Sequence, residues 1–137
     1  MVEPIPENAL DLFEKPALAH LATVMPDGTP HVTPVWVDYD GTHILINTVR
    51  GRRKERNMRQ RPQAGLTIVD PTNPWYWLSI RGYVVAVTEA GADEHLKKLA
   101  KKYLGSDDTS TFRRPGQVYV IYTIAPDRVI ATPPYQW

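Results

Sequence analysis

The chain of 137 residues contains no cysteine, which excludes disulfide staples and thiolate metal centres and is compatible with a reducing compartment. No apolar run approaches the roughly 20 residues that a membrane-spanning helix needs. The opening MVEPIPENALDLFEKP lacks the basic start and long apolar stretch of a secretion signal, so cytoplasmic residence is the expectation. His20, His31, His43 and His95 stand singly, none paired at ligand spacing, and no metal site is expected. A P-loop, a G-x-G-x-x-G fingerprint and a G-x-S-x-G elbow are all missing, as are internal repeats and low-complexity stretches. Neither sign of charge dominates: 16 Lys and Arg face 15 Asp and Glu. That balance argues against an extended nucleic-acid groove. The length suits one domain over residues 1–137, large enough to bury a core without staples.

What is present is a concentration of positive charge. In RGRRKERNMRQRP, residues 50–62, seven of the twelve positions before the proline are Lys or Arg and only Glu55 is acidic. Outside this stretch nine basic residues face fourteen acidic ones. Upstream, HILINTV reads as a strand; downstream, residues 54–61 are good helix formers that Pro62 stops. A strand turning through Gly51 into a basic helix aims backbone N–H groups and cationic side chains at one point, an arrangement that suits a phosphate. Two other readings stand beside it: a solvated helix face, and a nucleic-acid patch.

The remaining chain alternates. Residues 7–14 form a short amphipathic helix that Pro16 ends. Residues 17–25 and 29–38 read as strands joined through Pro26-Asp27-Gly28, and Asp40-Gly41 turns the chain into a third strand at residues 43–48. Residues 63–70 give a fourth strand and residues 75–88 a long fifth, whose internal Gly82 marks a bulge or barrel corner. Residues 89–105 carry Leu96, Leu99, Ala100 and Tyr103 at helical spacing, with acids early, lysines late and Gly105 at the end. A polar loop follows, then a closing strand at residues 117–131. Strands joined mainly by hairpins predict a mainly β fold: an antiparallel barrel with peripheral helices.

In this order the stretches LATVMPDGTPHVTPVWVDYDG, INTVRGRRKERNMRQRPQAGLTIVD and PWYWLSIRG resemble the pyridoxamine 5'-phosphate oxidase-like, FMN-binding split barrels. Within these the chain is most similar to the actinobacterial flavin and deazaflavin oxidoreductases that use coenzyme F420. The resemblance runs from about Leu18 to Val129 and is most specific at Arg52, Lys54, Asn57, Met58 and Pro62. It implies that Arg52 and Lys54 hold the cofactor phosphate, with Arg53 and Asn57 in the same motif. It further implies that Asn47, Thr48, Val49 and Arg50 lie along the ring and ribityl chain, and that His31 and Thr33 line the ring face with Pro34, Val35 and Trp36 nearby. A homodimer with the pocket shared between subunits is implied, Trp75 and Trp77 reaching across the interface.

The resemblance thus implies an F420-dependent oxidoreductase acting on a small unsaturated or oxidised molecule. FMN is the alternative cofactor, because it shares the ring, stem and first phosphate; a non-catalytic cofactor carrier is a further alternative. The pyridoxamine 5'-phosphate oxidase reaction itself is disfavoured by the short chain and its TPPYQW ending. No side chain is assigned as catalyst, and His31 is the candidate proton donor beside solvent. Arg50, Arg53, Arg56 and Arg59 exceed what one phosphate requires; they suit either the carboxylates of an oligoglutamate tail or a solvated face. Neither nucleic acid nor membrane is expected as a partner.

Overall fold

The computed structural model describes residues 2–132. The closing PPYQW, part of the ending weighed above, lies outside them. Alternating apolar residues build seven antiparallel strands: β1 (Ala19–Val24), β2 (Pro30–Val35), β3 (Asp38–Tyr39), β4 (Ile44–Val49), β5 (Gln63–Val69), β6 (Trp77–Thr88) and β7 (Tyr119–Thr132). Two helices interrupt them, α1 (Arg53–Gln60) between β4 and β5 and α2 (Ala92–Leu104) between β6 and β7.

The strand order is β2-β1-β5-β6-β7-β4-β3. Strands β2 and β3 therefore sit at opposite edges of the sheet, yet only residues 36 and 37 separate them in the chain. Three Cα steps of 3.8 Å reach about 11 Å at most, so the sheet must curl until its two edges nearly meet. The result is a split half-barrel, mainly β with helices outside it, as the alternation predicted.

Its interior is filled by Leu21, Ile44, Ile46, Ile68, Leu78, Ile80, Tyr122 and Ile124, all nearly inaccessible to solvent. Each buried aliphatic side chain stabilises the fold by about 1.5–3 kcal/mol. The expected break at Gly82 is present: the β6–β7 register shifts between Arg81 and Gly82 and again between Val84 and Ala86. A Cβ at Gly82 would lie 2.2 Å from the Ala125 carbonyl oxygen, so only glycine admits this approach of two backbones.

The short helix expected over residues 7–14 is present as a 3-10 helix, Glu7–Phe13. The stretch between two prolines is short, and Ala9, Leu12 and Phe13 already reach the core from the tighter turn. The strand expected over residues 29–38 is broken after Val35. There the Val37 N–H leaves the sheet and donates to the Tyr103 hydroxyl of α2, 3.1 Å away. Helix α2 itself runs between Gly91 and Gly105, both in the left-handed region at φ 80°.

Candidate functional site

Strand β4 ends at Val49, and the chain turns through Gly51 at φ 94° into α1. The turn is fixed from beneath by Glu55, which is fully buried. Its carboxylate accepts the Gly51 N–H at 2.8 Å, the Tyr122 hydroxyl at 2.6 Å and the Arg50 guanidinium at 3.1 Å, and it pairs with Arg59 one helical turn on. Burial alone would raise the pKa of Glu55, but the bonds from Arg59, Gly51, Tyr122 and Arg50 prevail and bring it down to about 2. Burial and the same carboxylate push the Tyr122 hydroxyl up to about 12.

This buried carboxylate sorts the basic segment. Arg50 is held by both Glu55 and Glu89, and Arg59 by Glu55. Arg61 donates to the Val24 carbonyl at 2.7 Å and to Asn57. Among the described residues, no carboxylate pairs with Arg52, Arg53, Lys54 or Arg56. Of these four, Arg52 and Lys54 line a cavity of about 560 Å³. Burial, and then the charge of Arg52, hold the Lys54 ammonium below its ordinary pKa. Burial of this ammonium with no carboxylate beside it disfavours its charged form, a cost that a nearby anion would offset.

The rest of that cavity is largely apolar. The end of β2 gives Pro34 and Val35, followed by Trp36; α2 gives Leu96, Leu99 and Leu104; the loop before β7 gives Phe112. Trp36 stacks on Tyr103, with centroids 5.2 Å apart and planes at 3°, and meets Phe112 edge-on at 5.6 Å. Asn47, Thr48 and Val49 of β4 form the floor.

Polar pins hold α2 over this floor. Asn47 Nδ2 donates to the Ala92 carbonyl at 2.9 Å and lies 3.2 Å from His95 Nδ1. The carbonyl can only accept, so the amide nitrogen must face it and His95 Nδ1 must accept as well. The His95 proton therefore sits on Nε2, which donates to Asp38 at 3.0 Å; Lys98 donates to the same oxygen at 3.1 Å. Burial works against the Asp38 carboxylate, yet the bonds from His95 and Lys98 hold it well below the usual range.

Of the residues singled out by sequence, the cavity collects Pro34, Val35, Trp36, Asn47, Thr48, Val49, Arg52 and Lys54. Arg50 and Arg53 do not line it, and Arg50 is engaged by two carboxylates, so it is not surplus charge. Arg59 likewise leaves the set suggested for a polyanionic tail. Asn57 is fully buried and donates to Thr23 Oγ1 at 3.0 Å, locking α1 to β1. His31 and Thr33 lie farther along β2, paired in register with Thr23 and Leu21. Trp75 is 62% exposed just before β6, and Trp77 opens β6 opposite Thr132. Among the described residues three buried side-chain atoms lack a hydrogen-bond partner: His31 Nδ1, Thr33 Oγ1 and Asn47 Oδ1. All three belong to residues that sequence had selected, and unmet bonds of this kind cost about 1–3 kcal/mol each.

Sequence reasoning missed the wall built by Leu96, Leu99, Leu104 and Phe112, and the pair Asp38 and His95. One signal was available: His95 and Lys98 share a helix face at i, i+3, so a single carboxylate can serve both.

A curled antiparallel half-barrel with a largely apolar cleft that also presents Arg52 and Lys54 is a cofactor-binding fold of the oxidoreductase type. The chain belongs to the pyridoxamine 5'-phosphate oxidase family, whose model matches residues 5–132. Among solved structures it is similar to an F420 reductase, at 31% identity with a TM-score of 0.80, covering 92% of this chain and 98% of that one. A conserved hypothetical protein of Mycobacterium tuberculosis shares the fold at 22% identity and TM-score 0.70, over 95% and 85% of the two chains. HupZ of Group A Streptococcus does so at 20% identity and TM-score 0.67, over 93% of each. A search of curated proteins finds no match. Among the described residues no helix is long and apolar enough to cross a membrane.

Proposed function

We propose that this chain binds the deazaflavin F420 and serves hydride transfer from its reduced form to a small unsaturated or oxidised organic molecule. The observation that carries the reading is one cavity that combines apolar side chains with two cations, Arg52 and Lys54, that no carboxylate pairs. A deazaflavin needs a place for a planar ring, a polyol stem and a phosphate, and this mix of lining suits them. Arg52 can fork onto two phosphate oxygens, while Lys54 supplies a point charge whose own burial is relieved by an anion. Trp36, held between Tyr103 and Phe112, gives the ring a rigid aromatic wall.

When bound, the cofactor supplies two-electron chemistry that no side chain here offers. The protein's part is to hold the ring beside the substrate and to keep water from it. FMN fits the same cations and remains the second reading; the 31% identity to an F420 reductase over nearly the whole chain favours F420.

We assign the partner to a second copy of the chain. Tyr83, Val85 and Val87 are apolar side chains left exposed on β6, the sheet's long central strand, and this supports the assignment. Mixing Lys54→Ala and Trp75→Ala variants tests the shared pocket: heterodimers regain one intact site if each pocket draws on both copies, and regain none if it does not.

The cofactor reading is tested by titrating the purified protein with F420 and FMN side by side, following fluorescence at fixed salt. Preference for F420 upholds it, preference for FMN transfers it to a flavoprotein, and binding of neither removes it.

A further inference from the structure

We propose that Asn47 recognises the cofactor ring and that His95 positions it: Asn47 Oδ1 accepts a hydrogen bond from the pyrimidine N–H of the ring, and His95, without touching the ligand, keeps the oxygen of that amide, not its nitrogen, free for the ligand. The inference rests on the cofactor reading above and adds to it the contact by which the site tells the ring apart.

The chain of bonds begins at Asp38. Its carboxylate has only acceptors to offer, and it takes His95 Nε2–H at 3.0 Å and the Lys98 ammonium at 3.1 Å. With the proton committed to Nε2, neutral His95 turns a lone pair at Nδ1 toward Asn47 Nδ2, 3.2 Å away. The Ala92 carbonyl, 2.9 Å from the same nitrogen, makes the same demand. Two acceptors on α2 therefore claim the amide nitrogen, and turning the amide over would set its oxygen against both.

The oxygen is left without a bond. Asn47 Oδ1 is one of three buried side-chain atoms without a partner among the described residues, and of those three residues only Asn47 lines the cavity that holds Arg52 and Lys54. The atom is shielded from water, so solvent does not make up the bond, and a ligand N–H would remove the penalty. The surroundings select the donor. Ala92 and Leu96, on either side of His95 along the helix, pack in the apolar cluster of Val49 and Tyr119, so the amide stands among apolar side chains. A planar ring with one N–H on its edge meets both conditions, and flavin and deazaflavin rings carry that N–H between two carbonyl groups.

The experiment titrates the protein with F420, with FMN and with each cofactor methylated at that ring nitrogen. It reads the ratio of affinities, unmethylated over methylated, for whichever cofactor binds. In the wild type the ratio should be about tenfold or more, because the methyl removes the donor and leaves the acceptor buried and unpaired. Asn47→Ala should bring it close to parity. His95→Phe, which leaves the Ala92 carbonyl alone to hold the amide, should fall between. A role confined to holding α2 in place would weaken both forms alike and leave the ratio untouched. Parity in the wild type, or an undiminished ratio in Asn47→Ala, overturns the ring contact; a wild-type ratio in His95→Phe overturns the positioning role. Should Asn47→Ala fail to fold, Asn47→Leu, of similar size, takes its place, and the wild-type ratio is a test that needs no variant. Binding of neither cofactor removes the proposed function and this inference with it, whereas cofactor binding at parity removes this inference alone.

Discussion

The two faces of strand β4 have opposite fates. Ile44 and Ile46 point into the barrel, where neither retains any exposure and each joins one continuous apolar cluster. On the other face Val49 packs with only Ala92, Leu96 and Tyr119 as buried neighbours, and beside them the cavity stays open. The first face is closed over most of its length, and only Thr48, near the strand's end, reaches the cavity. The other keeps an unfilled volume, an unpartnered Asn47 oxygen and two unneutralised cations. The comparison teaches that a single strand can divide its residues between filling the core and lining an open cavity.

That division is open to attack from both sides. The largest effect belongs to the filled face: Ile46→Ala should lose about 2–5 kcal/mol of stability in denaturant unfolding while the folded fraction keeps its cofactor affinity. Loss of affinity without loss of stability would erase the distinction. Next comes acid. Glu55 titrates in the fold near 2, below its ordinary 4.5, so its contribution is complete above that ordinary value and is withdrawn as pH falls from about 4.5 toward about 2. Urea midpoints should fall through this window in the wild type and fall less in Glu55→Gln.

On the open face the signature reverses. Lys54→Ala should weaken cofactor binding by roughly 1.5–3 kcal/mol in titration, while stability stays within about 0.5 kcal/mol of wild type because no carboxylate is left behind. The smallest effect belongs to Leu104, exposed at the slot's rim. Leu104→Ala should cost less than about 1 kcal/mol in cofactor affinity and leave the unfolding midpoint in place. A large stability loss there would show the rim to be part of the core.

Sequence made the barrel legible because its determinants are local. Alternation marked the long strands, Gly82 marked the irregular register of β6, and Gly105 marked the end of α2. The family resemblance, most specific at Arg52, Lys54, Asn57, Met58 and Pro62, singled out Arg52 and Lys54, which the fold brings to one cavity. What escaped depends on distant partners. The break after Val35 comes from a hydroxyl 66 residues away, and the engagement of Arg50 involves Glu89, 39 residues on. No local pattern distinguishes an arginine that will meet a buried carboxylate from one left to face a pocket. The slot's wall was hidden for a similar reason: Leu96 and Leu99 read as core of a helix, and only the docking of α2 over β4 makes them the lining of a cleft.

The Gly51 amide is bonded to a carboxylate that the Tyr122 hydroxyl also holds. A turn at the end of a strand ordinarily opens often and cheaply, and its amides exchange with solvent early. Here, opening the turn means releasing a charge from inside the barrel wall. Deuterium should therefore enter at Gly51 on the timescale of the sheet rather than of the loops, and the turn belongs to the same cooperative unit as Ile46 and Tyr122.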